Sequence, residues 1–278
     1  MAAGLGVAQA QEVAAANPAP AVGMVDNPCP VMPPKPQPVL DLEEAMIRPG
    51  AVNLPAMMAL AQTPEFQAYA AAKTAREAAD GPGLCFYRED NAALLASGVR
   101  PDVIMIGDSI TENWARADQP LFAERRIVGR GIGGQSSAQM LVRFRADVIA
   151  LRPRVVHILA GTNDVAGNGG LTSPEAYKNT IMSMVDLARA NGISVVLGGL
   201  PPAERFFWRP GAKPAGQIIE LNDWLRAYAA EQGVPFIDYH AALVNERGGM
   251  RSELSVDGVH PNRDAYVIMD RLLLAVVN

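Results

Sequence analysis

A serine follows an apolar run in the stretch RPDVIMIGDSITENW, residues 100–114. The run 103–106 is typical of a buried strand, and Ser109 comes three residues after it. A serine hydroxyl at a strand end can act as a nucleophile in acyl transfer if a base removes its proton. Taken alone, the segment is explained more simply by Asp108 or Ser109 capping the next helix. The G-x-S-x-G pattern of a nucleophile elbow is absent, because Thr111 replaces its second glycine.

A base for this serine is offered by the stretch SVDGVHPN, residues 255–262, in which Asp257 precedes His260 by three positions. A carboxylate beside an imidazole fixes its tautomer and stabilises the imidazolium that forms when the base takes up a proton. The chain has three histidines. His157 lies within an apolar strand and is predicted to be a buried core residue, whereas the sequence leaves the role of His240 open. His260 is therefore the best candidate for the base.

Glycines and an asparagine could supply hydrogen-bond donors to an oxyanion. The stretch VGRGIGGQSS, residues 128–137, formally satisfies G-x-G-x-x-G. A dinucleotide site would need this motif in the first βα unit with an acidic residue about 20 positions later, and neither condition holds. Such glycines can instead turn backbone N–H groups toward an anion. Asn163, in the stretch HILAGTNDVAGN, is either a plain turn residue or an amide donor to the same oxyanion.

These candidates are placed by an alternation of strands and helices. Short apolar runs predict strands at 103–106, 126–128, 155–159, 194–197 and 235–237, and helical periodicity predicts helices near 136–150, 174–190, 215–231 and 262–276. Such alternation indicates a parallel sheet with helices on both faces. In these sheets, sites form at the carboxyl ends of the strands. The serine, glycine and asparagine segments each follow a predicted strand, and the Asp-x-x-His segment precedes the last helix.

Taken together, the four segments resemble the GDSL or SGNH hydrolase family, which is named for a Ser, Gly, Asn and His in four blocks. GDSI matches the first block, with Ile110 in place of the usual leucine, and GIGGQSS resembles the second. GTND resembles the third block and DGVHPN the Asp-x-x-His block. The resemblance covers roughly residues 100–278. It implies a three-layer α/β/α fold, flavodoxin-like, with a five-stranded parallel sheet.

The resemblance also implies a site and a reaction. Ser109 would be the nucleophile, His260 the general base and Asp257 its orienting carboxylate, in a carboxylic ester hydrolase that needs no metal or organic cofactor. The oxyanion hole would comprise the backbone N–H groups of Ser109 and Gly134 and the side-chain amide of Asn163. Gly134 is preferred to its neighbour because the matching glycine precedes a polar residue and then a hydroxyl residue, as Gln-Ser does here.

The substrate is less strongly indicated. The stretch PPAERFFWRPG, residues 201–211, follows the fourth strand and includes Phe207 and Trp208, which could stack on a sugar ring, line an acyl pocket or fill a hydrophobic seam. The predicted substrate contacts are Asp108, Asp164, Phe207 and Trp208. We expect short-chain acyl esters, with acetyl groups on a carbohydrate as the leading case. A small-molecule or glycan ester is thus the predicted partner.

Other functions stay open at this stage. Relatives with similar motifs include lysophospholipase-like and other lipid esterases. An O-acyltransferase could use the same triad to move the acyl group to a sugar hydroxyl, and a non-catalytic glycan-binding protein could keep the fold alone. A nucleotide-binding role is the weakest alternative, since the glycine motif lacks its acidic partner.

Composition excludes some classes of partner. The chain has 278 residues, 49% of them hydrophobic, and a net charge of −5. The sequence has no basic run interleaved with aromatic residues, so a nucleic-acid partner is not expected. The sequence also has no window of about 18 uninterrupted apolar residues, so a transmembrane segment is not expected. The oligomeric state is not indicated.

The N-terminal part is predicted to lie outside the catalytic domain. We divide the chain into a possible signal-peptide remnant (1–10), a proline-rich arm with a helical extension (11–85) and an SGNH hydrolase domain (86–278). Within the second part, residues 17–40 are too proline-rich for regular structure, and a helix is expected from Pro64 to about residue 80.

The N-terminal residues also bear on localisation. Ala8-Gln9-Ala10 has the small-x-small form of a cleavage site, although the chain start lacks a positive segment. Cys29 and Cys85 lie in no metal-binding pattern, so no metal site is predicted. They could pair in an exported protein and would be two free thiols in the cytosol. A periplasmic or secreted location is favoured, with a cytoplasmic one left open.

Overall fold

A five-stranded parallel sheet forms the centre of the protein. The computed structural model describes residues 24–50 and 53–277. The strands are β1 Val103–Gly107, β2 Ile127–Gly131, β3 Val155–Leu159, β4 Ser194–Gly198 and β5 Phe236–Ile237, in the spatial order β2-β1-β3-β4-β5. This is the flavodoxin-like order, in which the chain reverses direction across the sheet between β1 and β3.

Twelve α-helices surround the sheet within the described residues. They are α1 Gln37–Ile47, α2 Leu54–Ala61, α3 Pro64–Ala79, α4 Arg88–Ser97, α5 Ser109–Ala117, α6 Gln119–Glu124, α7 Ser137–Asp147, α8 Thr162–Ala166, α9 Pro174–Ala190, α10 Pro214–Gln232, α11 Tyr239–Leu243 and α12 Arg263–Val277. Two 3₁₀ turns, Ile149–Leu151 and Ser252–Leu254, complete the regular structure of the described part.

Two hydrophobic cores lie on opposite faces of the sheet. Alternate residues of β1 point to opposite faces, so Ile104 and Ile106 join one core while Val103 and Met105 join the other. Helices α7, α9 and α10 cover the first face, and α5 and α12 cover the second. Because both faces are covered, every residue of β1 is buried, which explains its unbroken apolar run. The predicted three-layer α/β/α fold is confirmed.

The register of the sheet brings the candidate segments together. Gly107 at the end of β1 lies beside Gly131 of β2 and Leu159 of β3. The residues that follow these three strand ends therefore emerge at one edge, at the point where the chain reverses direction. Ser109, the glycine-rich loop and Asn163 are the residues that follow them.

Strand β2 is longer than the sequence predicts. The expected strand at 126–128 stops at the glycines, whereas β2 runs through Gly129 to Gly131. The glycines serve helix packing, because a Cβ on Gly131 would lie 2.2 Å from the backbone nitrogen of Glu112 in α5. A Cβ on Gly129 would lie 2.6 Å from the Cβ of Ala115. These glycines thus allow α5 to approach the sheet closely.

The N-terminal extension is more ordered than the proline content predicts. The expectation of no regular structure over 17–40 is wrong from residue 37 onward, because α1 begins at Gln37. Proline fits the first turn of a helix, where its missing N–H leaves no bond unmade. Helix α3 confirms the predicted start at Pro64, with Thr63 capping it through a bond from the N–H of Phe66. Residues 1–23, including the possible signal-peptide remnant, lie outside the described residues.

A disulfide bond closes the extension on itself, and two contacts of α1 tie it to the rest of the chain. Cys29 and Cys85 form a disulfide bond, which links the arm to the loop after α3. Glu44 of α1 accepts two hydrogen bonds from the guanidinium of Arg263 in α12, at 2.6 and 2.8 Å. Ile47 at the end of α1 is fully buried in the second core. Helix α1 therefore packs on the face of the sheet that α5 and α12 cover, and this part of the extension is not a free arm.

Candidate active site

Ser109 stands at the end of β1 as the first residue of α5. The side chain of Asp108 caps this helix by accepting a hydrogen bond from the N–H of Ile110 at 2.9 Å. The capping interpretation and the nucleophile interpretation are therefore compatible, since Asp108 caps the helix and leaves Ser109 free. The Ser109 hydroxyl lies 2.8 Å from Nε2 of His260.

The loop before α12 fixes His260 through Asp257. Oδ2 of Asp257 lies 2.7 Å from Nδ1 of His260. Its other oxygen, Oδ1, accepts hydrogen bonds from the backbone N–H groups of Val259 and His260 at 2.9 and 2.8 Å. With the carboxylate held at both oxygens, Nδ1 of the imidazole carries the proton and Nε2 presents a lone pair to Ser109. This arrangement is suited to removing a proton from the serine hydroxyl.

Burial and hydrogen bonding together set the pKa values of this pair. Burial lowers the pKa of His260, but the hydrogen bond and negative charge of Asp257 outweigh it, so the pKa lies above the ordinary 6.5. Burial raises the pKa of Asp257, and the hydrogen bonds that it accepts from His260 reverse the shift, so its pKa is lowered. The carboxylate thus stays ionised and stabilises the imidazolium.

We expect the rate of ester hydrolysis to fall on the acid side with a midpoint above pH 6.5. His260 must be neutral to accept the Ser109 proton, and the protonated form accumulates as the pH drops through its raised pKa. The pH dependence of kcat/KM for p-nitrophenyl acetate measures this midpoint in the free enzyme. An acid limb centred at or below pH 6.5 would contradict the role given to Asp257.

The other two histidines are placed away from this arrangement. His157 is fully buried in β3, and burial lowers its pKa to about 3, as its predicted core position implies. Its Nε2 lies 3.1 Å from the hydroxyl of Tyr239. His240, which the sequence left open, lies in α11, where partial burial lowers its pKa. Of the three, His260 is the one that contacts Ser109.

Gly134 is better placed than Gly133 to donate to an oxyanion. The N–H of Gly133 donates to Oε2 of Glu112 at 2.8 Å. Among the described residues, no hydrogen-bond acceptor is found for the N–H of Gly134. Its φ of +84° lies in the left-handed region that favours glycine, and a Cβ there would meet open space. The chain thus turns at Gly134 with its N–H free.

The amide of Asn163 is oriented by two hydrogen bonds. Its Nδ2 donates one proton to Asp108 at 3.1 Å, and its Oδ1 accepts from Nδ2 of Asn168 at 2.6 Å. Because both ends of the amide have partners, the second proton on Nδ2 has a defined direction. Asn168 in turn accepts a hydrogen bond from Nε1 of Trp208 at 3.1 Å. The chain from Trp208 to Asp108 therefore fixes the candidate oxyanion donor.

We expect Asn163→Ala to lower kcat by about 10²- to 10³-fold with a smaller change in KM, because an oxyanion donor acts mainly in the transition state. Steady-state kinetics on p-nitrophenyl acetate measures the effect. Asn179→Ala, on the exposed surface of α9, is the matched control and should retain full activity. A fall of less than about threefold in Asn163→Ala would remove this amide from the oxyanion hole.

The predicted substrate contacts fall into two groups. Asp108 and Asp164 are buried and accept internal hydrogen bonds, the latter from the N–H and hydroxyl of Ser137 at 2.9 and 2.6 Å. Burial raises the pKa of Asp108 to about 6. Phe207 is 64% exposed, and the ring of Trp208 lies 6.3 Å from that of His260. Trp208 lies beside His260, and Phe207 lines a groove that Asp257 borders. The two carboxylates hold the backbone of the loops that form the site.

Glu112 and Asn168 also contact the site, and neither was predicted from the sequence. Glu112 lies three positions after Ser109 on the same face of α5, a helical spacing that places both beside the glycine-rich loop. Asn168 follows a glycine in a stretch typical of a turn, and its bond to Asn163 depends on the folded loop. The first could have been found from helical periodicity. The second has no signal in the sequence.

Within 24–50 and 53–277, no three His, Cys, Asp or Glu side chains are grouped so that they could hold a metal ion. No helix in the same ranges has the length and apolar character needed to cross a membrane.

Comparison with known proteins identifies the family. The model of the GDSL-like lipase/acylhydrolase family matches residues 105–268, more than half of the chain. The chain belongs to this family. The match begins within β1 and includes each of the four motif segments, so the resemblance seen in the sequence is confirmed. Ester hydrolysis is the reaction class of the protein.

Three relatives show how far the similarity extends, and two of them are named as a lipase or an esterase. The crystal structure of a GDSL-like lipase from Bacteroides thetaiotaomicron is 38% identical, with a TM-score of 0.67, covering 70% of this chain and 97% of that one. Esterase TesA of Pseudomonas aeruginosa is 27% identical over 183 residues, which are 62% of this chain and 83% of TesA. An uncharacterised lipoprotein of Bacillus subtilis, YqeF, is 31% identical over 113 residues, 34% of this chain, and the match spans only 46% of the lipoprotein.

Proposed function

We propose that this GDSL-family esterase hydrolyses short-chain acyl esters, with acetyl groups on a carbohydrate as the leading substrate, through an acyl-enzyme on Ser109. The observation that carries the proposal is the continuous chain from the Ser109 hydroxyl to His260 Nε2, at 2.8 Å, and from Nδ1 to Asp257, at 2.7 Å. The candidate oxyanion donors are the serine's own N–H, the N–H of Gly134 and the amide of Asn163, which is bonded to the residue that precedes the serine. This is the constellation that acyl transfer by a serine requires.

In the first step, Ser109 Oγ attacks the ester carbonyl carbon while His260 Nε2 takes up the hydroxyl proton. The carbonyl oxygen becomes an oxyanion, which receives hydrogen bonds from the N–H groups of Ser109 and Gly134 and the amide of Asn163. Each donor contributes on the order of 3 kcal/mol in the transition state. The bond to the alcohol then breaks, and the imidazolium protonates the leaving oxygen.

In the second step, water replaces the alcohol. His260 takes a proton from the water as its oxygen attacks the acyl carbon of the Ser109 ester. The second oxyanion collapses, Ser109 Oγ regains the proton from the imidazolium, and the carboxylic acid leaves. Asp257 stays ionised throughout and stabilises the imidazolium in both steps.

A polar cleft over the glycine-rich loop supports a carbohydrate substrate. The cleft, of about 370 Å³, includes Gly134 itself. Its walls carry donors and acceptors of hydrogen bonds, supplied by Arg76 of α3, Gln139 of α7, Asn168 and Arg209. The guanidinium groups of Arg76 and Arg209 keep N–H groups that can donate to a ligand, which suits a hydroxyl-rich group better than a long alkyl chain.

An apolar groove supports a second candidate, a lipid esterase. This groove, of about 780 Å³, lies between the N-terminal helices and the loop that carries Phe207. Leu42, Met46 and Met57 line one side, and Phe206 and Phe207 line the other. Asp257 also borders it, so the groove adjoins the catalytic loop. A longer acyl chain could lie there.

Chain-length preference separates the two candidates. We expect kcat/KM for p-nitrophenyl acetate to exceed that for the octanoate by about tenfold or more, because the groups lining the cleft at Gly134 are polar. Butyrate should fall between them, and acetylated xylan should release acetate. Equal or faster turnover of the octanoate would reject the acetyl-ester proposal in favour of the lipid esterase. Ser109→Ala is the blank for background hydrolysis.

We propose further that the protein works in an oxidising compartment, periplasmic or extracellular. The Cys29–Cys85 disulfide supports this location, because disulfides form and persist outside the reducing cytosol. Protein isolated from its own cells without reductant should show no reactive thiol, and should take up two alkylating groups after reduction. Two free thiols before reduction would contradict the export proposal.

A further inference from the structure

The segment 80–91, which runs from the end of the N-terminal extension into α4, lies directly against the glycine-rich loop, residues 131–135. The carbonyl of Pro82 accepts a hydrogen bond from Nε2 of Gln135 at 2.8 Å. The hydroxyl of Tyr87 donates to the carbonyl of Gly131. Just beyond the loop, Nε2 of Gln139 in α7 donates to the carbonyl of Gly81 at 2.7 Å. We call segment 80–91 the strap.

The fit between strap and loop is close. A Cβ on Gly83 of the strap would lie 2.6 Å from Nε2 of Gln135 and 3.0 Å from Cδ1 of Ile132. Gly83 also has a φ of +76°, which side-chain-bearing residues rarely adopt. At Gly83 the strap therefore contacts the loop with its backbone, and a side chain at this position would require Gln135 or Ile132 to move.

A buried polar network extends this contact to the nucleophile strand. Arg143 of α7 is fully buried and donates to Oε1 of Gln135 at 2.6 Å and to the carbonyl of Gly107 at 2.9 Å. Its third bond goes to Asp147 at 2.8 Å. Asn91 of the strap donates to the same carboxylate at 2.7 Å. One guanidinium thus links the loop, the end of β1 and the strap.

The network fixes the loop because the side-chain amides of Gln135 and Asn91 are each hydrogen-bonded at both the oxygen and the nitrogen. The amide of Gln135 is bonded at its oxygen by Arg143 and at its nitrogen by Pro82. Asn91 is bonded likewise, since its Oδ1 accepts from Nε of Arg130 at 2.8 Å. A shift of the loop would leave several buried polar groups unpaired, which is costly. Gly134, adjacent to Gln135, is thereby held in place.

The disulfide holds the strap at its own end. Cys85 lies within the strap and is bonded to Cys29 of the arm. The carboxylate of Asp80 closes the turn before Cys85, because it accepts hydrogen bonds from the N–H groups of Leu84 and Cys85 at 2.9 and 2.6 Å. Arg88 donates to the backbone carbonyl of Asp26 at 3.0 Å, beside the disulfide. The strap is thereby joined to the arm, whose following helix α1 is held in the second core by Ile47.

We propose that the strap, fixed by the Cys29–Cys85 disulfide, is a positioning element for the oxyanion hole and holds the N–H of Gly134 in line with the Ser109 site. The strap precedes the region 105–268 that the family model matches, so the positioning comes from outside the family core. This inference rests on the proposed function of Gly134. It assigns positioning roles to Tyr87 and Gln135, which touch no reacting atom.

Two variants test the proposal through kinetics on p-nitrophenyl acetate. Loss of an oxyanion donor costs about 10²- to 10³-fold, so a loosened donor should cost about tenfold in kcat with KM within about twofold. We expect this for Cys29→Ser/Cys85→Ser, assayed well below its unfolding midpoint. Tyr87→Phe, which removes a single hydrogen bond, should lower kcat by about threefold. Tyr228→Phe in α10, whose ring stacks on Trp224, is the matched control and should match the wild type.

Hydrogen–deuterium exchange tests the positioning independently of activity. In Cys29→Ser/Cys85→Ser, the peptide that covers 131–136 should exchange faster than in the wild type, while peptides of β3 and β4 should be unchanged. The acid limb of the pH profile should also be unchanged, because Asp257 and His260 do not contact the strap.

The outcomes separate the two proposals. Unchanged kcat in both variants, or a lowered kcat with unchanged exchange in 131–136, would overturn the positioning role. A wild-type protein that hydrolyses no p-nitrophenyl ester would reject the proposed function. Faster exchange of the loop in the serine variant would then still support the strap as its positioning element.

Discussion

Ser109→Ala is expected to lower kcat for p-nitrophenyl acetate by about 10⁴- to 10⁶-fold, to a residual rate set by the oxyanion donors and binding alone. The substitution removes the oxygen that would form the acyl-enzyme and leaves its neighbours in place. Helix α5 should still form, because its capping bond is donated by the N–H of Ile110 to the side chain of Asp108. The fold, measured by circular dichroism and thermal unfolding, should therefore be retained.

A second serine serves as the control for this substitution. Ser183 lies on the exposed side of α9, where its hydroxyl donates to the carbonyl of Asn179. Ser183→Ala should keep wild-type kinetics. If Ser109→Ala retained more than about one hundredth of the wild-type kcat, another group would have to be the nucleophile.

Asp257→Asn should lower kcat by about 10⁴-fold through the wrong tautomer of His260. Oδ1 of Asp257 accepts hydrogen bonds from the backbone N–H groups of Val259 and His260, so the side-chain oxygen of the asparagine is expected to take that position. Its amide nitrogen then replaces Oδ2 and donates to Nδ1 of His260. The imidazole proton must move to Nε2, which can no longer accept the proton of Ser109.

The pH profile distinguishes this effect from a loss of structure. Without the carboxylate, the group that raises the pKa of His260 is gone, so the acid limb of the remaining activity should move to lower pH. Asp223→Asn in α10, at an exposed carboxylate that pairs with Arg226, should change neither kcat nor the profile. An acid limb that stays in place in Asp257→Asn would contradict the assigned pairing.

Much of the fold could be predicted because the sheet is buried on both faces. The apolar runs at 103–106 and 155–159, the second interrupted only by His157, are typical of central strands, and they correspond to β1 and β3. Helix α9 matches its predicted range because Ser173 caps it and Pro174 occupies its first turn. In each case, a local signal and the tertiary structure favour the same conformation.

Other elements depend on contacts that no local signal records. Glycine disfavours a strand, yet β2 continues through Gly129 because α5 needs the space above it. Proline-rich sequence favours an extended chain, yet α1 forms because Ile47 is buried in the second core and Glu44 pairs with Arg263. In these two places, packing outweighs local preference.

The candidate site divides in the same way. Ser109, Asp257 and His260 could be found because their residue types, at the end of β1 and in the loop before α12, indicate a definite chemistry. The groups that orient the oxyanion donors could not be found from the sequence. Asn168 and Arg143 act through partners that are distant in the chain, and the 36-residue separation between Arg143 and Gly107 leaves no periodic pattern.

The central claim, that Ser109 is the nucleophile of an acyl transfer, is tested most directly by covalent labelling. The protein would be treated with diisopropyl fluorophosphate, and its intact mass and peptide map recorded. One phosphoryl adduct should form, it should lie on Ser109 in the peptide containing GDSI, and its formation should parallel the loss of esterase activity. An adduct on another residue, or loss of activity without one, would contradict the claim.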